Sequence, residues 1–297
     1  REAHVITIPG CHLTDTLYES ERSLVLRGYD KEDQNHRPLV FKTLKTEYPT
    51  PEEIARFRTE YEICKNVNMD GVAKSYRFQR HKHSLIFSME DIGGTSLDRY
   101  ISDGPFELAE SLKLAIAMST VLGHIHQYPI IHKDINPSNI VYNATTGQIN
   151  IIDFGLSTVL SRENASISNA DVVEGSLAYI SPEQSGRMNR EIDYRTDYYS
   201  LGVTLYELVT GRLPFESSDA MELIHAHMAK QPVPPHQIKP EIPEAVSNII
   251  LKLLAKTAEA RYQSAHGIRT DLETCYDQWR ADGVIETFVC GLKDTSD

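Results

Sequence analysis

The spacing of apolar residues changes once along this chain, near residues 90–94, and that change sets what it can fold into. Ahead of it, short runs alternate in the manner of strands. In LVFKTL, Val40, Lys42 and Leu44 share one face. SLIFSM at 84–89 reads as another short strand. Behind the change, ELAESLKLAIAMSTVLGHIHQ puts Leu108, Leu112, Ala115, Leu122 and Ile125 on one side of a helix. EDIGG supplies two glycines for a bend between the two regimes. A β-rich first third followed by a helix-rich remainder predicts an α+β protein with two unequal lobes.

The first third also holds one helical segment, TPEEIARFRTEYEICKNV. Thr50 can cap it, Pro51 suits its first position, and Glu53 completes a capping box. Ile54, Phe57, Tyr61 and Cys64 form its apolar stripe, with Glu60 beside them and Glu62 opposite. On pattern alone, Lys42 is a surface lysine whose stem lies along apolar neighbours, and Glu60 sits at the wet edge of its stripe. An ion pair between them would give both an inward role. Further on, PVPPHQIKPEIP at 232–243 reads as a proline-rich connection between helices.

Composition narrows the function classes. Of 297 residues, 40% are hydrophobic, enough for one large domain or two smaller ones. The net charge of -12, with no run of Lys and Arg, argues against nucleic acid and anionic membrane as partners. No wholly apolar stretch approaches the roughly 18–20 residues that span a bilayer. The opening REAHVITIPG lacks the apolar core of a signal peptide. Cys11, Cys64, Cys275 and Cys290 show no C-x-x-C spacing, which points to reduced thiols and a cytoplasmic location.

The polar run in IHKDINPSNIV, residues 131–141, is where chemistry concentrates. IVYN (140–143) and INIIDFG (149–155) flank a turn containing Gly147 and place Asp153 at the exit of a hairpin. Asp134, Asn139 and Asp153 are then expected on adjacent loops at the mouth of one sheet. Two hard oxygen ligands and a separate acid suit a reaction of a Mg²⁺-bound nucleotide.

HKDINPSN, IIDFG, SPE at 181–183 and DYYSLGVTLYELVTG at 197–211 resemble, in order, the eukaryotic-type protein kinase family of Ser/Thr type. The resemblance runs from about Tyr18 to Tyr276. It implies a bilobal kinase-like fold: residues 1–90 as the N-lobe with its helix at 51–67, 91–277 as the helical C-lobe, and 278–297 as a tail. A finer likeness is to the kinase domains that open large bacterial hybrid proteins, with a histidine kinase and further domains downstream. The resemblance implies ATP and Mg²⁺, or Mn²⁺ in its place, and a protein substrate with a Ser/Thr acceptor. Asp134 would accept or orient the hydroxyl proton, while Asn139 and Asp153 would hold the metal. Lys42, partnered by Glu60, would contact the α- and β-phosphates. Met89 resembles the gatekeeper, and the backbone of Glu90 and Ile92 would meet adenine. His132, Asp197 and a Glu183–Arg261 pair would be scaffold.

Three positions depart from the family pattern. Where a glycine-rich loop would cover the phosphates, the chain reads YESERSLV ahead of Val25, with Tyr18, Ser20 and Ser23 in the glycine places. Val25, Ser20 and Ser23 are assigned to the nucleotide, with Arg22 as a further phosphate contact. Asn136 replaces the lysine that steadies the γ-phosphate. Lys133 replaces an arginine that would grip an activation-loop phosphate, so dependence on phosphorylation within 156–176 is expected to be weak. Ser176 resembles the residue that marks Ser/Thr specificity. The reading that follows is an active Ser/Thr kinase that also phosphorylates itself. The alternative is a pseudokinase that regulates attached domains, favoured by the glycine-poor loop and Asn136. A small-molecule kinase fits less well, because SPE and the DYYSLG segment shape a peptide platform. The acidic balance hints at basic peptides as substrates.

Overall fold

The computed structural model describes residues 7–19, 23–46, 48–81, 84–159, 176–187 and 190–295. It divides into two compact units, Arg1–Thr95 with Tyr142–Gly155, and Ser96–Val141 with Leu156–Asp297.

The first unit is built on five antiparallel strands: β1 (Cys11–Glu19), β2 (Ser23–Asp30), β3 (Pro38–Leu44), β4 (Ser75–His81) and β5 (Ser84–Glu90), in the order β1-β2-β3-β5-β4. In register, Lys42 sits between Val25 and Phe87. The alternation expected of β3 is observed. Val40 and Leu44 join a cluster with Phe57, Tyr61, Phe87 and Met89. Phe41 joins the opposite one with Leu24, Leu26 and Ile86. Gly28 belongs to this sheet: a Cβ there would stand 2.2 Å from the carbonyl oxygen of His12, so β1 and β2 approach where a side chain would clash.

Helix α1 (Pro51–Asn66) carries both halves of the capping box. The Thr50 hydroxyl accepts from the Glu53 N–H at 3.2 Å, and the Thr50 N–H donates to Glu53 Oε2 at 2.9 Å. Its buried face includes Phe57, Tyr61 and Cys64, with Phe57 and Tyr61 against the rings of Phe78 and Phe87. That packing turns Glu60 toward β3.

Short strands follow: β6 (Thr95–Ser96), β7 (Ile130–Ile131), β8 (Ile140–Tyr142), β9 (Ile149–Ile151) and β10 (Thr158–Val159). In the first unit, Asn143 and Gln148 close the turn before β9 at 2.9 Å, and the Ile151 N–H donates to the Gly71 carbonyl at 2.7 Å. In the second, β10 pairs antiparallel with β7.

The second unit is helical: α2 (Leu97–Ser102), α3 (Leu108–Gln127), α4 (Arg195–Thr210), α5 (Ala220–Ala229), α6 (Pro235–Ile238), α7 (Glu244–Leu253) and α8 (Ala265–Asp282). Helix α4 runs through its core, burying Leu201, Val203, Leu205 and Leu208 against α3 and α7. A Cβ at Gly202 would lie 2.7 Å from Leu253 Cβ, so α4 and α7 cross closely there. The 232–243 connection is not wholly irregular. Pro235 opens the single turn of α6, its fixed φ suiting that position. By length and mean hydropathy (1.2), α3 would suffice to cross a bilayer, which strictly apolar stretches did not suggest. Here Leu112, Ala115, Met118, Leu122 and Ile125 are buried, and α3 packs on α4 and α8.

Candidate active site

In the first unit, β3 and α1 bring Lys42 and Glu60 together. Lys42 Nζ stands 2.7 Å from Glu60 Oε2 and 3.3 Å from Asp153 Oδ1. Lys42 is 8% exposed and Glu60 3%, so the surface placement that pattern alone suggests holds for neither. Pairing makes their burial tolerable, since removing one partner would leave an uncompensated charge. Burial pulls the Lys42 pKa down, but Asp153 and Glu60 outweigh it, and the net direction is up. Burial pushes Glu60 up to about 7; Lys42 opposes this and Asp153 adds to it. One ammonium thus serves two carboxylates, and the cluster carries surplus negative charge. Asp153 lies just past β9 with φ at 63°, left-handed backbone that few non-glycine residues adopt.

In the second unit, Asp134 follows β7 and is held on both carboxylate oxygens. Asn136 Nδ2 donates to Oδ1 at 3.0 Å, and Asn139 Nδ2 donates to Oδ2 at 2.9 Å. Both amides also reach the Asp134 carbonyl, at 3.1 and 2.9 Å. Asn136 Oδ1 accepts from the Ser138 N–H at 3.0 Å, capping the 3₁₀ turn Pro137–Asn139. The residue expected beside the transferring phosphate is therefore buried, with its amide directed at the acid.

Asp197, on α4, braces this loop. Its carboxylate accepts from the His132 N–H at 2.9 Å and the Lys133 N–H at 2.8 Å, and from His126 Nε2 at 2.9 Å. Burial would raise its pKa, yet the hydrogen bonds from His126 and from the His132 N–H hold it below the usual carboxylate value. His132 is fully buried, and its Nδ1 accepts from the Asp134 N–H at 3.2 Å. Lys133 has φ at 69° and is itself buried, which lowers its pKa. Glu183 and Arg261 form a two-pronged pair at 2.6 and 2.8 Å, with Arg261 also bonded to the Ala255 and Arg195 carbonyls. Ser176 begins a 3₁₀ turn, Ser176–Tyr179.

The nucleotide-facing expectations fall in the first unit. Met89 is buried in the Phe57–Phe87 cluster, and Val25 and Ser23 lie on β2 opposite Lys42 and Leu44. The Glu90 N–H donates to the Lys74 carbonyl at 2.9 Å, and the Ile92 carbonyl accepts from Asn143 Nδ2 at 2.6 Å. Ser20 and Arg22 lie outside the described residues, as do Ser161, Ser166 and Ser168, candidate phosphorylation sites of the 156–176 segment. The sequence reading missed Asp91. Arg27 grips it through Nε at 2.5 Å and Nη2 at 3.1 Å, and also reaches the Gly94 carbonyl at 3.0 Å. This bidentate bond fixes the bend after β5. In EDIGG an aspartate reads as turn chemistry, and its partner is 64 residues away, so no local signal reveals it.

The donors suit a hard cation that takes few protein oxygens. Asn139 spends its N–H groups on Asp134, so its amide oxygen is the end that could meet a cation. The Asp153 side chain is 42% exposed. Among the described residues there is no group of three or more His, Cys, Asp and Glu of the kind that cages a metal unaided.

The profile of the protein kinase domain matches residues 19–272. The chain belongs to the protein kinase family. It is 32% identical over 244 residues to the serine/threonine-protein kinase PrkC of Bacillus subtilis, covering 81% of this chain and 37% of PrkC. It is 33% identical over 242 residues to the probable serine/threonine-protein kinase CPE1738 of Clostridium perfringens, covering 80% and 34%. PknB of Mycobacterium tuberculosis is 30% identical over 243 residues, covering 80% and 38%. The chain thus spans little more than a third of these curated relatives.

Proposed function

We propose that this chain transfers the γ-phosphoryl group of ATP to serine and threonine hydroxyls of proteins, itself included. The observation that carries the reading is the Lys42 ammonium bound by Glu60 and Asp153, the ion pair a kinase needs for phosphate engagement. Lys42 engages the α- and β-phosphates while Glu60 fixes its direction. Ile92 meets adenine through its N–H, since Asn143 takes its carbonyl. Asp134 accepts the hydroxyl proton, its carboxylate aimed by Asn136 and Asn139. Asn139 and Asp153 supply oxygens for Mg²⁺ or Mn²⁺, which neutralises phosphate charge when bound. The buried Lys133 replaces a loop-gripping arginine, and activity depends only weakly on phosphorylation within 156–176. Its four free cysteines suit the reducing cytoplasm, where ATP is abundant. Further domains in a longer protein, a histidine kinase among them, would receive its output.

The test is radiolabelled ATP with casein or myelin basic protein, comparing the parent with Asp134→Asn. Incorporation that needs the divalent ion and collapses in the variant supports the assignment. Equal, background incorporation by both refutes it and leaves a regulatory module. In that event a thermal shift with ATP alone separates a nucleotide-binding module from a nucleotide-free one.

A further inference from the structure

The second unit contains a cavity of about 490 Å³ where the C-terminal end of α3, the start of α4 and the start of α8 meet. Its walls include Ser119, His124, His126, Tyr198, His266 and Arg269, and no carboxylate lines it. That is unusual in a chain of net charge -12. Two of its polar atoms are buried with no hydrogen-bond partner among the described residues: His126 Nδ1 and Arg269 Nε. The His126 side chain is only 10% exposed, and its other nitrogen, Nε2, is committed to Asp197 at 2.9 Å. The Asp197 carboxylate accepts a hydrogen bond from Nε2–H, so in the neutral ring Nδ1 is an acceptor that meets no donor among the described residues. Arg269 faces Glu273 Oε1 at 3.4 Å, which satisfies charge without a well-formed bond to Nε. The start of α8 is already served by Asp294, which accepts from the Gln263 and Ser264 N–H groups, so the helix end alone does not select a ligand.

We infer that this cavity binds inorganic phosphate. Such a group brings negatively charged oxygens for Arg269 and, in its protonated form, a P–OH donor for His126 Nδ1. An unpaired buried acceptor is costly, so an anion with no proton to give is rejected. The site reaches the catalytic loop through two bonds. His126 donates to Asp197, and Asp197 accepts from the His132 and Lys133 N–H groups. A donor placed on Nδ1 polarises that chain. The binding claim stands apart from phosphoryl transfer by the protein.

Inorganic phosphate and sulfate are titrated into the protein at mildly alkaline pH, where an unperturbed imidazole is neutral. Histidine-ring and backbone-amide NMR follow binding. Phosphate shifts the His126 ring and the Lys133 amide saturably, and sulfate binds at least about tenfold more weakly. Arg269→Gln and, independently, His266→Asn weaken phosphate binding about tenfold while leaving the spectrum otherwise folded. A lysine-site phosphate would shift Lys133 in the variants as in the parent. No saturable His126 shift, an equal response to sulfate, or unchanged binding in both variants overturns the proposal.

Discussion

Replacing Asn136 by alanine separates two roles for that residue. As a stand-in for the family lysine, it would touch the transferring phosphate. As the structure has it, its amide donates to Asp134 Oδ1 at 3.0 Å, and its oxygen caps the following turn. A hydrogen bond to a charged group is worth about 1.5–3 kcal/mol, and about 1.4 kcal/mol is tenfold in rate. Asn139 still holds Oδ2 at 2.9 Å, so the lower end applies. Asn136→Ala should lose about tenfold in kcat with KM for ATP unchanged, because the acid is misaimed while the nucleotide contacts persist. Asn136→Asp should lose more, since a second carboxylate then faces Asp134. Steady-state kinetics with radiolabelled ATP read both parameters, and an unchanged Tm excludes a folding defect. A raised KM at constant kcat would return Asn136 to the phosphate. An unchanged kcat would end the positioning argument.

Other perturbations test the frame. Glu183→Gln strands the fully buried Arg261 guanidinium and should cost about 3–5 kcal/mol in urea unfolding, with part of it recovered in Glu183→Gln/Arg261→Met. Thr50→Ala removes the α1 cap and should lower stability by about 1 kcal/mol, read as a fall in Tm. Burial, with the charge of Lys256, lowers the pKa of His227 to about 4, from an ordinary 6.5. The unfolded chain binds that proton more readily, so the stability tied to neutral His227 is complete above 6.5 and is lost as pH falls toward 4. His227→Gln should flatten that limb of a urea-midpoint profile, and an unaltered slope would contradict the assignment.

Local chemistry was legible. Thr50, Pro51 and Glu53 announced α1, and the alternation in LVFKTL placed Lys42 on the face that α1 covers. Charge burial was not legible, because periodicity records where a side chain points and says nothing of what waits there. Glu60 looks wet until Lys42 is set 2.7 Å away. The braces that Asp197 and Arg261 provide emerged only by family likeness, since each partner lies more than sixty residues distant. Arg27 with Asp91 had no such guide, because a bond across 64 residues leaves no period in a sequence. The doubled amide grip on Asp134 is local, from residues two and five positions on, yet it depends on a loop path that periodicity does not record.

Lys133 and Asp153 keep left-handed backbones, with φ at 69° and 63°, without being glycine. Conformations of that kind cost on the order of 1–3 kcal/mol each and survive only while their surroundings enforce them. Warming should therefore let these two positions relax before the helices around them melt. Heat inactivation would then run ahead of the loss of circular dichroism, and cooling from that window would restore full turnover.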